Sequence, residues 1–473
     1  MTAGIVRTYT SSVSGGRIQR FSEAGASHFL IIALLIPAAL SIQAPLPAQE
    51  AGLSEAALRD WVLTNRRWLQ NQVTPNPLVP DPDPSRRGLA VSYGLSPEKF
   101  PQGFHRSAVY DDALAALAFL VLDDRDRAAF ILHALARLVR ADGSLWFGYN
   151  TANDWPSEAD HDSALVRAGA LSWVGYALAS YLAHQPPCAG DRGCERERAF
   201  FLRTAVRLGE YLLSLQVSDA QDPRDGLVRL GFGQIELAYK PDINKVVEIY
   251  TDGPYPGIST ENNISAWFFL RQLAVLTGEA RWTGSAERIR AGLLRAAWND
   301  PIDQFIAGFR PDGSPDHTKA LDCLSWGAIF LAATGDPEKA RRALAVVDSR
   351  YAARDEESVG FRPYSDIPIY EDPGVGRFFF PDNPRRKWLD LPLVWSEGTL
   401  GVALANLRLG RPEQARRLLE GLRPLQPKDG GLIYASRDLP FLMWSAPGAA
   451  SAAWLILVIE ALSGNPLAQE IWK

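Results

Sequence analysis

Carboxylates recur at five places in this chain where a long polar segment gives way to a strongly apolar one. They are Asp111-Asp112, Asp160-His161-Asp162, Ser259-Thr260-Glu261-Asn262-Asn263, Asp316-His317 with Asp322 following, and Trp395-Ser396-Glu397-Gly398. A sixth such junction offers Ser445 and no acid. Two carboxyls facing each other across a cleft can split a glycosidic bond. One protonates the leaving oxygen, and the other activates water or attacks the sugar carbon. An apolar lining suits the acid member by raising its pKa. Glu397 and Glu261 are the expected pair, with Asp111 as the competing member. A blander role is open to each acid, since Asp, Ser and Thr are favoured N-caps and Glu suits a first helical turn. Glu261 and Glu397 resist it best, because each has a serine nearby that can do the capping.

The same junctions carry groups suited to sugar rings. Trp146, Tyr149, Trp155, Tyr250, Tyr255, Trp388, Trp395 and Tyr434 fall in or beside the long segments. Flat rings with a polar tip match the faces of pyranoses. Expected substrate contacts are Asp112, Trp146, Tyr149, Asn262, Asn263, His317, Asp322, Trp326, Trp395 and Tyr434, with Arg362 as a further hydrogen-bonder. Pinning and bracing of the loops is the competing role for these side chains.

The elements that must hold these residues alternate between two helix types. Apolar stretches begin near Tyr110, Asp162, Ser259, Thr318, Ser396 and Ala449, and amphipathic ones near Ser54, Asp124, Glu195, Ser285, Pro337 and Pro412. A helix apolar on every face must be surrounded by protein, whereas an amphipathic one faces water on one side. Six inner helices ringed by six outer ones give an all-α fold, an (α/α)6 toroid with a central depression. Links from inner to outer helix are mostly short. Those from outer to inner are long, from Val73–Val109 to Pro424–Ser445. Loops of that length are uncommon and often functional, and alternation puts all of them on one rim. Asp-Gly pairs at 142, 225, 312 and 429 lie beside aromatic or β-branched runs, so short β-hairpins are expected there.

The alternation runs on without a linker, so residues 49–473 read as one domain. Residues 1–48 read as a signal peptide and flexible leader. Arg17 and Arg20 precede an apolar run from Phe29 to Ile42, and small residues follow between Ala44 and Gln49. An uncleaved anchor is the alternative. The expected location is secreted or periplasmic, with no integral span after cleavage. Residues 1–44 hold three Arg and one Glu, so the remainder of a chain of formal net charge −5 carries −7. That balance disfavours nucleic acid, anionic membranes and strongly anionic polysaccharides as partners. Cys188 and Cys194 are close enough for a small disulfide, and Cys323 lies in an apolar helix. No Cys/His or calcium-loop spacing implies a metal, and no phosphate loop or dinucleotide fingerprint implies a cofactor. The sequence assigns no oligomeric state.

Several segments resemble a pattern in secreted members of the six-hairpin glycosidase superfamily. They are Tyr110-Asp-Asp-Ala-Leu, Ser259-Thr-Glu-Asn-Asn, Leu321-Asp-Cys-Leu-Ser-Trp-Gly327, Val394-Trp-Ser-Glu-Gly398, Asp429-Gly-Gly-Leu-Ile-Tyr434 and Asn465-Pro466. Ser396-Glu397-Gly398 also resembles the segment bearing the acid Glu in inverting cellulases and xylanases, although there it opens an early hairpin and here the fifth inner helix. The resemblance implies a carbohydrate-active enzyme with carboxylates in the cleft. Other functions fit the same ring. A sugar epimerase would set His161 against His317. A uronate lyase would need a Tyr/His or Arg cluster, and a glycan-binding envelope protein would line the pit with aromatics and no acid pair.

Overall fold

A computed structural model describes residues 53–473 apart from 99, 102, 154, 155, 158 and 159. The leader and Trp155 lie outside the described residues. Fifteen helices follow in chain order among the described residues. The outer set is α1 (Glu55–Gln72), α3 (Arg125–Leu138), α5 (Arg192–Leu215), α7 (Ala280–Gly292), α9 (Pro337–Ala345) and α13 (Pro412–Leu422). The inner set is α2 (Val109–Val121), α4 (Ala168–His184), α6 (Thr260–Thr277), α8 (Leu321–Ala333), α12 (Ser396–Arg408) and α14 (Ala449–Leu462). Short helices α10 (Val347–Tyr351), α11 (Pro373–Phe379) and α15 (Pro466–Glu470) complete the set.

The inner helices pack in the cycle α2–α4–α6–α8–α12–α14 and back to α2. Helices α3, α5, α7, α9 and α13 each back onto the inner helix that precedes them, and α1 closes the circle against α14. This is the (α/α)6 toroid. Burial follows residue type: α2 and α14 are buried on nearly every face, while α5 buries one stripe through Phe201, Ala205, Leu208 and Leu212. Packing is closest at the α4–α6 contact, where a Cβ on Gly175 would come within 2.3 Å of the Phe269 ring. Only glycine fits there.

Two expectations are corrected. The second inner helix starts at Ala168, not near Asp162. His161–Ala164 form a 3-10 turn, and Val166–Arg167 then pair as a strand with Gly231–Phe232. One rim hairpin is long rather than short: Gly231–Lys240 (10 residues) pairs with Lys245–Tyr255 (11 residues). The Asp-Gly pairs make turns, and three of them dock on the next outer helix, Gly430 against Thr64 of α1. Gly143 and Gly226 have φ of 86°, and a Cβ on either would lie 2.4 Å from the carbonyl of Arg207 or Arg288. Cys188 and Cys194 form a disulfide, and Cys323 is a buried free thiol.

The core of the ring is aromatic. Trp472, beyond α15, inserts among the inner helices from the short-loop side. It stacks on Trp173 of α4 (4.4 Å) and Phe268 of α6 (4.7 Å), and meets Trp326 of α8 edge-on at 4.9 Å. Its backbone N–H donates to Tyr176 Oη at 3.0 Å. No described helix is long and apolar enough to cross a membrane.

Candidate active site

Asp111, Glu261, Asp322 and Glu397 all sit in the first turn of an inner helix: α2, α6, α8 and α12. In each case the residue before the helix is extended backbone, held by a rim strand or bridge. Ala108 pairs with Gly148, Ser259 with Gly308, Ala320 with Tyr364, and Trp395 with Phe361 and Ala435. None of the four acids is an N-cap. The cap positions are Ala108, Ser259, Ala320 and Trp395, and only Ser259 caps through its side chain. The first, third and fifth inner helices, α2, α6 and α12, therefore present acids at alternate corners of the ring, with Asp322 between the last two.

All four carboxyls are raised, chiefly by burial, and two of them also by neighbouring acids. Glu397 is only 9% exposed. Burial pushes its pKa up to about 8, against the hydrogen bond from Tyr110, and Asp111 and Glu261 raise it further. Burial takes Glu261 to about 7. Asp322 is held well above the carboxylate range by burial, then by repulsion from Glu261 and Glu397. Burial takes Asp111 to about 6, opposed by a hydrogen bond from Ser92 and by the Arg106 charge. Desolvation and like charge both favour the neutral acid, so at neutral pH the cluster holds protons. Arg106 is in turn ion-paired with Asp160 at 2.5 Å.

Tyrosines complete the lining. Tyr110 Oη donates a short hydrogen bond to Glu397 Oε1 and accepts one from Trp454 Nε1 at 2.9 Å. Tyr93, Tyr364 and Tyr434 are each partly exposed and feel the acids, which add to burial in raising their phenols. Among the described residues, no three acidic, His or Cys groups are gathered so as to hold a metal ion.

Other expected contacts go elsewhere. Asp112 is fully buried and accepts from Ala90 N (2.6 Å) and Ser107 Oγ (2.7 Å), fastening the first loop to α2. Asn263 is buried, bonded to both backbone groups of Val228 and to Ser259 O. Asn262 Oδ1 accepts from Gly169 N at the start of α4. Tyr149 is buried, its hydroxyl taking the Trp146 N–H at 3.2 Å. These four brace loops and helices instead of facing a ligand. Trp146 lies under the Arg140 guanidinium in a separate pocket of 220 Å³ with Tyr211 and Phe232. Trp326 belongs to the aromatic floor. Trp395, only 7% exposed, packs edge-on to Tyr434 at 6.3 Å. Arg362 donates to Leu389 O and Ala352 O. His317 is exposed, and His161 Nδ1 is bonded to Glu248 of the long hairpin at 2.8 Å.

Sequence reasoning left Tyr110, Tyr93, Tyr364 and Arg106 without a role. Tyr110 directly precedes Asp111, and that adjacency was the available signal. The partner that defines it, Trp454, is 344 residues away.

No protein-family model and no curated protein matches this sequence. Solved structures do. A D-mannose isomerase is similar at a TM-score of 0.54 and 12% identity, covering 87% of this chain and 98% of its own. The GH63 mannosylglycerate hydrolase of Thermus thermophilus, solved with Tris, is similar at 0.54 and 15%, covering 85% and 99%. A family 76 glycoside hydrolase from a bovine Bacteroides thetaiotaomicron strain is similar at 0.50 and 11%, covering 86% and 77%. The chain has the (α/α)6 toroid fold of these structures. That fold is shared with glycoside hydrolases and with a sugar isomerase, so chemistry has to be argued from the pit.

Proposed function

We propose that this protein is a glycoside hydrolase in which Glu397 is the general acid. The observation that carries this reading is the set of carboxyls at the starts of inner helices, Asp111 and Glu397 buried and Glu261 and Asp322 half-buried, with neighbouring acids adding to burial in raising Glu397 and Asp322. Glu397, raised to about 8, stays protonated at neutral pH and can deliver a proton to a leaving oxygen. Glu261, near 7, is the base, because a base works best with a pKa close to the operating pH. Asp322, protonated between them, is a hydrogen-bond donor to sugar hydroxyls. Asp111 is the competing base, as the most readily ionised of the four. With a net charge of −7 outside the leader and secretion through residues 1–48, the substrate is a neutral extracellular or periplasmic glycan.

The isomerase alternative has weaker support. The groups that perturb the four acids are other acids, Tyr110, Ser92 and Arg106, with no histidine among them. A glycan-binding protein would have no use for repelling acids that cost stability.

The test is sugar release from a panel of glycans by wild type, Glu397→Gln, Glu261→Gln and Asp111→Asn, each checked for folding. Loss of activity in Glu397→Gln and Glu261→Gln supports the assignment. Azide, a small anionic nucleophile, should then restore turnover in the variant that lacks the base. Rescue of Asp111→Asn in place of Glu261→Gln exchanges the base. Binding without any release by wild type removes the hydrolase reading.

A further inference from the structure

We infer that the pit accepts a chain end or a small glycoside, and not an internal stretch of polysaccharide. The inference rests on the hydrolase reading above and concerns what can reach its acids.

An enzyme that cuts within a polymer needs a cleft open at two sides, so that the chain can run in and out. The rim here is tied into a complete circle. The first and second loops pair through Arg106–Ala108 and Gly148–Asn150, and Arg86 donates to Asn150 O at 2.9 Å. The second joins the third where Val166 pairs with Phe232 and His161 meets Glu248. Ile258 pairs with Phe309 between the third and fourth, and Ala320 with Tyr364 between the fourth and fifth. Tyr370 Oη donates to Pro440 O at 2.9 Å, and Arg437 is paired with Asp355, between the fifth and sixth. Tyr93 bridges to Gly448, and Phe100 meets Trp444 at 5.0 Å, returning the sixth to the first. Every neighbouring pair of loops is joined by hydrogen bonds.

Two further features deepen the enclosure. The long hairpin reaches past the fourth loop to the fifth, where Tyr239 packs on Phe378 at 5.6 Å and α11 lies against both strands. The wall on that side is thus two loops thick. Below the acids, Trp472 fills the ring between Trp173 and Phe268. Among the described residues, the loops are tied in a closed circle around the acids of α2, α6, α8 and α12, and Trp472 blocks the ring beneath them. A sugar at the end of a chain can be surrounded there; one in mid-chain has no exit for its second neighbour.

The experiment uses the full chain on soluble α- and β-glucans and mannans, on their hexasaccharides tagged at the reducing end, and on 4-nitrophenyl glycosides. Products are read in the first few per cent of turnover, with polymer viscosity followed in parallel. The expected result is one small sugar of fixed size, aryl-glycoside cleavage, and unchanged viscosity. A ladder of product lengths with an early fall in viscosity overturns the inference and leaves the hydrolase reading standing. No release from any glycan or glycoside overturns the hydrolase reading and this inference with it. A variant with residues 236–249 replaced by Asn-Gly opens the wall, and it should gain internal cleavage relative to aryl-glycoside cleavage by at least tenfold. A folded variant that keeps the single-product pattern removes the hairpin from the explanation and counts against it.

Discussion

The hydroxyl of Tyr110 stands between Trp454 Nε1 and Glu397 Oε1, accepting from the indole and donating to the carboxyl. A phenol has one proton, and here it is spent on Oε1. When Glu397 is protonated with this bond in place, its own proton sits on Oε2. On the proposed reading of Glu397 as the acid, Tyr110 is a positioning residue that decides which oxygen donates. Because its hydrogen bond favours the charged form, it also holds the Glu397 pKa lower than burial alone would.

Tyr110→Phe removes that bond while keeping the ring. Hydrogen bonds to charged groups are worth about 1.5–3 kcal/mol, and one pKa unit is about 1.4 kcal/mol. The alkaline limb of kcat should move up by roughly one to two units, with kcat at its optimum reduced because the acid proton is no longer confined to Oε2. Trp454→Phe should shift the limb less. A pH profile of the two variants decides this, and a limb that stays in place or moves down removes Tyr110 from the proton's control.

The raised acids also predict how stability depends on pH. Glu397 has an ordinary value of 4.5 and a folded value of about 8, and Asp111 goes from 3.8 to about 6. The folded state binds more protons than the unfolded one across those windows, so stability falls as pH rises through them. Each group adds a slope of up to about 1.4 kcal/mol per pH unit inside its window. Urea unfolding should show a midpoint that declines from pH 5 to 8. Glu397→Gln should flatten the decline and leave the variant more stable than wild type at pH 8. A wild-type midpoint that rises over that range contradicts a pit of protonated acids.

The toroid was legible because the inner helices are apolar on every face, which no surface helix tolerates, and because long and short links alternate. What stayed hidden is instructive. The residues Asp162-Ser-Ala-Leu-Val look like a helix start, yet pairing of Val166 with Phe232 wins over local preference. The long hairpin has both faces half-buried, so its pattern lacks the clean alternation of a sheet on a core. Acids at helix starts were legible; their separation into pit and scaffold was not. Asp111 and Asp112 are neighbours in sequence, but successive residues on a helix point about 100° apart. One faces the pit, and the other is driven into Ala90 and Ser107.

That divergence is testable. Asp112→Ala leaves the Ala90 N–H and the Ser107 hydroxyl without their buried acceptor, at a cost of about 1–3 kcal/mol for each unsatisfied group. The variant should lose stability in urea while the folded fraction keeps its kcat within a few-fold. Glu397→Gln should behave in the opposite way, staying folded and losing about 10²- to 10⁴-fold in kcat, the usual worth of a general acid. If Asp112→Ala is stable and inactive, Asp112 belongs to the chemistry after all.

Trp472 supplies the last prediction, because it joins the chain's end to the pit. Its ring is 1% exposed and lies against Trp173, which in turn meets Tyr110 at 5.7 Å and Trp454 at 5.6 Å. Truncating a buried Trp to Ala costs about 3–5 kcal/mol through lost burial and the cavity left behind. Trp472→Ala should lower the urea midpoint accordingly, and Trp472→Phe should recover much of the loss by refilling the gap between Trp173 and Phe268. The cavity also frees the rings that hold Tyr110. The surviving activity of Trp472→Ala should therefore carry the same upward shift of the alkaline limb as Tyr110→Phe, in smaller measure, and Trp472→Phe should reverse it. A variant that loses stability but keeps the wild-type pH profile confines Trp472 to sealing the ring and shows that α4 and α14 fix the Tyr110–Glu397 contact without it.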